Sequence, residues 1–274
     1  MNWHRVFVVA KTDLRQLREA RDFWLPMVAL GAIFFVIVPT ILLLAINQVG
    51  DGPAVQRLAD TLAVLPQSAQ DNIKGDSETG RTSYALAVFL FAPMAVVVPL
   101  TISTAIGAAT IVGERERGTG EFLAHSPAGT REIYLGKLIA SLAPGYMTTL
   151  VGFGIYSLIV NLIVGPELGG WFFPTTQWWV LMLWVVPPFL AFTLSLVLRL
   201  SAKVRSTAAA QQAAGLVSLP LIMIAYGQST GALFGSGSTI YWIGAVAWTL
   251  ALTGLARGMR SVRRSSLLGV ADGI

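Results

Sequence analysis

Nucleophilic, acid–base and metal chemistry all need clustered reactive side chains, and this sequence offers few of them. It has no cysteine and only two histidines, His4 and His125. Disulfides, thiolate metal sites and cysteine nucleophiles are thereby removed, and no imidazole cluster remains to hold a metal. The phosphate-cradling pattern G-x-x-x-x-G-K-[ST] is absent, because Gly136-Lys137-Leu138 lacks both the upstream glycine and the hydroxyl. The most informative polar stretch is GERERGTGEFLAHSPAGTREIYLGK, from Gly113 to Lys137. Alternating carboxylates and guanidinium groups beside an apolar pair, Phe122 and Leu123, suit it to binding a partner rather than to making bonds.

The elements that must position this stretch are apolar. Of 274 residues 54% are hydrophobic and 12% charged, and the mean hydropathy is +0.67, which places most of the chain in lipid. A spanning helix needs about 20 mostly apolar residues. Six stretches qualify, at residues 24–46, 84–112, 136–164, 177–198, 208–228 and 240–256. The sequence therefore predicts an all-α, polytopic membrane protein with six transmembrane helices forming a single transmembrane domain over residues 1–274. The first apolar run is longer than the core of a signal peptide and no small-residue cleavage pattern closes it, so it reads as a retained helix.

The net charge of +5 would suggest nucleic acid in a soluble protein, but its placement gives it another meaning. Basic residues gather before the first span (Arg5, Lys11, Arg15, Arg18, Arg21), between spans two and three (Arg115, Arg117, Arg131, Lys137), between four and five (Arg199, Lys203, Arg205) and in the tail at 257–274 (Arg257, Arg260, Arg263, Arg264). The opposite loops hold only Arg57, Lys74 and Arg81. This asymmetry predicts cytoplasmic amino and carboxyl termini in a bacterial or archaeal cytoplasmic membrane, with the lipid bilayer and no nucleic acid as partner. Trp171, Trp178, Trp179, Tyr241 and Trp242 fall near the outer ends, where they are expected to anchor at the headgroups.

Ahead of the first span, Trp3, Phe7, Ala10, Leu14 and Leu17 recur at helical spacing while Arg5, Lys11, Arg15 and Arg18 fall elsewhere around the helix. Residues 2–22 are therefore expected to form an amphipathic interfacial helix, with Trp3, Phe7, Leu14 and Leu17 facing the acyl boundary. The external segment 47–83 places Val55, Leu58, Leu62 and Leu65 at helical spacing, predicting one short helix ending near Pro66; capping or gating and a plain connector are both open for it. Residues 227–239, rich in glycine and hydroxyl residues, fit either a re-entrant segment or an ordinary loop. Apart from their edges, the six spans contain no Asp, Glu, Lys, Arg or His, which argues against ion-coupled transport and intramembrane hydrolysis. Thr101, Thr104, Gln211 and Gln212 are candidate pathway or gate residues.

Within the 113–137 stretch, the second span is long enough to project into the cytosol carrying Glu114, Arg115, Glu116 and Arg117. Gly118 can end it and Thr119 can cap a new short helix with Glu121, Phe122 and Leu123, stopped by Pro127. Thr130 is placed to cap the third span, with Glu132 in its first turn. Glu114, Glu116, Gly118, Thr119, Glu121, Ser126, Pro127, Glu132, Gly136 and Lys137 together resemble the corresponding loop of the permeases of the ATP-binding-cassette type-2 exporter family. Gly120 departs from that family's usual leucine. The likeness extends to the amphipathic amino-terminal helix and the six-span count.

The resemblance implies a permease that pairs with a second copy or a sibling and rests on two separate ATPase subunits. No cofactor is then expected in this chain, which would not itself be an enzyme; ATP and Mg would belong to the partner ATPases. It also implies that Glu121, Phe122 and their neighbours Gly118, Thr119 and Leu123 form a coupling helix against the ATPase, with Glu114 and Glu116 at the membrane-proximal gate. Alternating access driven by nucleotide would then move an unidentified substrate outward. A membrane scaffold for a soluble complex and an ion-conducting channel or carrier are the rival readings.

Overall fold

The computed structural model describes residues 1–50, 52–62, 67–116, 126–201, 204, 206–229 and 238–261, and all regular structure among them is helical. An amino-terminal helix α1 (Trp3–Glu19) precedes a first long run made of α2 (Arg21–Ala32) and α3 (Val38–Val49). Outside it lie α4 (Pro53–Leu62) and the single turn α5 (Gln67–Gln70). The second run joins α6 (Glu78–Ala85) to α7 (Met94–Glu116), and the third is one helix, α8 (Thr130–Ile163). The fourth joins α9 (Thr176–Val180) to α10 (Val186–Ser201), followed by α11 (Thr207–Ser229) and α12 (Thr239–Ser261).

Five of these runs are long and apolar enough to cross a bilayer among the described residues: Trp24–Val49, Glu78–Thr110, Thr130–Ile163, Thr176–Ser201 and Thr239–Arg260. They coincide with five of the six expected spans. The remaining one, 208–228, is a 23-residue helix, α11. The expected external helix is α4, with Val55 buried; its expected end near Pro66 lies outside the described residues, as do most of 227–239 and the tail beyond 261.

Three spans are interrupted by a five-residue π turn, at Ile33–Ile37, Leu86–Leu90 and Leu181–Val185. Each lies just ahead of a proline: Pro39, Pro93 and Pro187. A proline ring presses on the carbonyl four residues earlier and offers no N–H to it, and widening the preceding turn to an i→i+5 bond relieves both problems. The bonds Val38 N to Ile33 O, Phe91 N to Leu86 O and Val186 N to Leu181 O close these wider turns. In hydrocarbon the carbonyls bypassed inside them need other donors. Thr40 Oγ1 donates to Val36 O, Tyr156 Oη to Ala87 O at 2.7 Å, Trp178 Nε1 to Val88 O at 2.9 Å and Tyr146 Oη to Met182 O at 2.9 Å.

Two of those donors, Tyr146 and Tyr156, stand on α8, the central element of the fold. α8 packs against α7 and α1, and also meets α2, α3, α10 and α12. Its carboxyl-terminal half carries an aromatic cluster. Phe153 stacks on Trp178 at 5.6 Å, and Phe173 meets Tyr156 and Trp178 edge-on at 5.3 and 5.0 Å. Asn161 ties in the connection after α8 by accepting from the backbone N–H groups of Phe172 and Phe173 and donating to Phe173 O. Trp178 is thus no headgroup anchor, since it is fully buried with its indole N–H committed to a π-turn carbonyl. Trp171, Trp179, Tyr241 and Trp242 do remain exposed, as headgroup anchors would be.

Candidate functional site

The motif stretch enters the structure in two parts. Glu114 and Glu116 lie in the last turn of α7, while Gly118, Thr119, Glu121, Phe122 and Leu123 fall outside the described residues, so the expected short helix does too. Its downstream half, from Ser126 to Lys137, is described and forms the seat of α1.

That seat has four contacts. The Arg5 guanidinium donates to Pro127 O at 2.7 Å. The Glu132 carboxylate accepts from the Asn2 N–H at 2.6 Å and from the Gly129 N–H at 2.9 Å, with Arg5 at 3.8 Å. Gly136 faces α1 so closely that a Cβ there would overlap Val9 and reach the Val6 carbonyl. Finally Lys137, fully buried, donates from Nζ to Thr110 O of α7 at 3.1 Å and lies 3.6 Å from the Asp13 carboxylate of α1. One side chain therefore joins α1, α7 and α8 at the end of the bundle where α8 begins.

Glu132 sits in the turn of α8 ahead of the apolar span that begins near Gly136. Start of α8 is sealed by this reach-back of Glu132 to the Gly129 N–H, and Thr130 makes no side-chain cap. The cap expected at Thr130 is thus corrected: an acidic side chain in the first turn meets the free amides instead.

α1 presents two faces. Val6, Ala10 and Asp13 are buried against the bundle, and Trp3 and Phe7, on the flank of that face, are largely exposed. Leu14 and Leu17 are partly buried at its far end, where they line a groove with Trp24 and Met27. The expected apolar stripe is therefore shared: Ala10 turns to protein and Trp3 and Phe7 turn outward. Asp13 was missed because a carboxylate in the seam contradicts an amphipathic pattern; the i, i+4 and i+7 register of Val6, Ala10 and Asp13 was the available signal. Lys137 was read as a cytoplasmic basic residue, and its burial follows from a partner far away in the sequence.

The candidate pathway residues separate as well. Thr104 is buried and its hydroxyl donates to Leu100 O of its own helix. Thr101, Gln211 and Gln212 are exposed on α7 and α11, two helices in mutual contact. Deeper in the same bundle, α7 and α8 approach closely where Gly145 meets Ser103 and the Pro99 carbonyl. No group of three or more His, Cys, Asp or Glu residues able to hold a metal occurs among the described residues.

A family model described as ABC-2 family transporter protein matches residues 7–253. No curated protein matches the chain. The matched region contains both halves of the loop motif and all five spans up to most of α12, and the chain belongs to the ABC-2 family of transporter membrane proteins.

Proposed function

We propose that this chain is the transmembrane permease of an ATP-driven exporter, six-crossing with both termini cytoplasmic, working as a pair of permeases on two separate ATPase subunits. The observation that carries the reading is the clasp at Lys137: the helices leading into and out of residues 117–125 are held together and to α1 just below the bilayer. A segment mounted on so rigid a base transmits a displacement instead of absorbing it. Glu121, Phe122 and the adjoining Gly118, Thr119 and Leu123 are the contacts to the ATPase, and Glu114 and Glu116 stand at the stalk of α7. ATP and Mg act in the partner, where nucleotide binding biases two states of the permease through differential contacts.

α11 supplies the sixth crossing in this reading. Thr101, Gln211 and Gln212, polar yet exposed on one copy, face the second permease copy or the path between copies, because amide groups left against lipid tails are costly. The test is to replace Glu121 and Phe122 together and measure co-purification of an ATPase subunit and ATP-dependent export. Loss of both is expected; unchanged assembly and export overturns the assignment. A scaffold would keep the ATPase bound while showing no nucleotide-dependent flux in the unaltered protein, which separates the two.

A further inference from the structure

Between the carboxyl-terminal end of α1, the start of α2 and the flank of α8 lies an open groove of about 390 Å³, lined by Leu14, Leu17, Arg18, Trp24, Met27 and Pro144. It exists because the chain leaves helical geometry at Ala20, whose extended backbone separates α1 from α2 and lets the two diverge against α8. We infer that this groove is a binding site for an anionic phospholipid of the inner leaflet, with the headgroup phosphate at Arg18 and one acyl chain along Leu17, Met27 and Pro144.

The chemistry of the lining is that of an amphiphile. Five of the six side chains are apolar or aromatic, and the sixth is a guanidinium, whose planar donors match phosphate oxygens. Arg15 is already paired with Glu19 at 3.0 Å, whereas Arg18 has no carboxylate partner among the described residues. Trp24 also lines the groove, and an indole suits a headgroup boundary. Leu25 and Val28 of the first span, adjacent in sequence to Trp24 and Met27, are exposed. Its volume suits one chain and not a whole lipid, so the second chain lies on that exposed surface. The site concerns only α1, α2 and α8 and rests on the proposed function for its leaflet alone, since the inner leaflet follows from a cytoplasmic amino terminus.

The full chain, reconstituted in nanodiscs of equal parts phosphatidylglycerol and phosphatidylcholine, is released and its retained lipid weighed by native mass spectrometry. One phosphatidylglycerol is expected to be held in preference to phosphatidylcholine by about fivefold, which is what one arginine at an anionic surface supplies. Arg18→Gln is expected to bring the two lipids to parity and Arg18→Lys to keep the preference. Met27→Trp, which fills the groove and leaves the charge, is expected to lower retention of both. Equal retention in the unaltered chain, or an unchanged preference in Arg18→Gln, overturns the inference. So does displacement of the lipid by millimolar inorganic phosphate alone, which would make it a phosphate site. Because the chain has no cysteine, Leu17→Cys reports a protein occupant: ready oxidative cross-linking between two copies through that position would give the groove to the second copy and overturn the lipid assignment.

Discussion

Replacing Lys137 by methionine leaves the Asp13 carboxylate buried in the α1 seam without the ammonium 3.6 Å from it. Removing one partner of a buried pair is costlier than removing both, so K137M is expected to destabilise by on the order of 3 kcal/mol and D13N/K137M by distinctly less than the sum of the single changes. Thermal unfolding of the solubilised chain reads both, and proteolytic release of α1 shows where the loss falls. Gly136→Leu tests the same seam sterically: its side chain meets Val9 and the Val6 carbonyl, and α1 is expected to detach while the spans stay folded. The sequence shows Glu132, Gly136 and Lys137 as motif residues. Their partners Asn2, Arg5, Val9 and Asp13 were hidden because helical periodicity reports which face a residue shares and never which distant element covers it.

At the scale of elements, the apolar runs were legible from composition, since length and absence of charge alone define a segment fit for hydrocarbon. A proline such as Pro93 or Pro187 marks where a helix can bend, but not the form the bend takes. The π turns depend on donors from another helix, above all Tyr146 and Tyr156 of α8. Tyr156→Phe keeps the ring contacts with Phe173 and Trp178 and deprives Ala87 O of its donor. It should cost about 1–3 kcal/mol, the penalty for a buried acceptor left unmet, seen as a lowered thermal midpoint. Pro93→Ala restores an N–H that can reach the Phe89 carbonyl, so the turn at Leu86–Leu90 is expected to close toward α geometry. Slower amide exchange over residues 86–93 would record it; unchanged exchange would show that α8 and not the proline holds the turn open.

For the whole molecule, the charge asymmetry makes a statement about sidedness that thiol labelling decides. In this cysteine-free background, Arg257→Cys is expected to react only with reagent supplied from the cytoplasmic side and Lys74→Cys only from outside; the reverse pattern would invert the topology. The seam reading of α7 and α11 predicts that Gln211→Leu with Gln212→Leu leaves a folded chain whose pairing or ATP-dependent export falls by about tenfold, read by cross-linking and flux, since amide contacts within a membrane are each worth about 1 kcal/mol. The all-helical membrane class and the family were readable from one sequence. The core of the bundle was not, because Trp178 looks like a surface anchor until Phe153 and Val88 are brought beside it.

A π turn is also a dislocation. By adding one residue to a turn it rotates everything beyond it by about 100° relative to an unbroken α-helix. In the second span, side chains before Leu86 and after Leu90 therefore belong to two different helical wheels. A tryptophan scan down that span should show a wave of tolerance that skips phase between them, and the sensitive face of the inner half, from Thr101 inward, can turn without carrying the outer half at Thr79 and Ser83 with it.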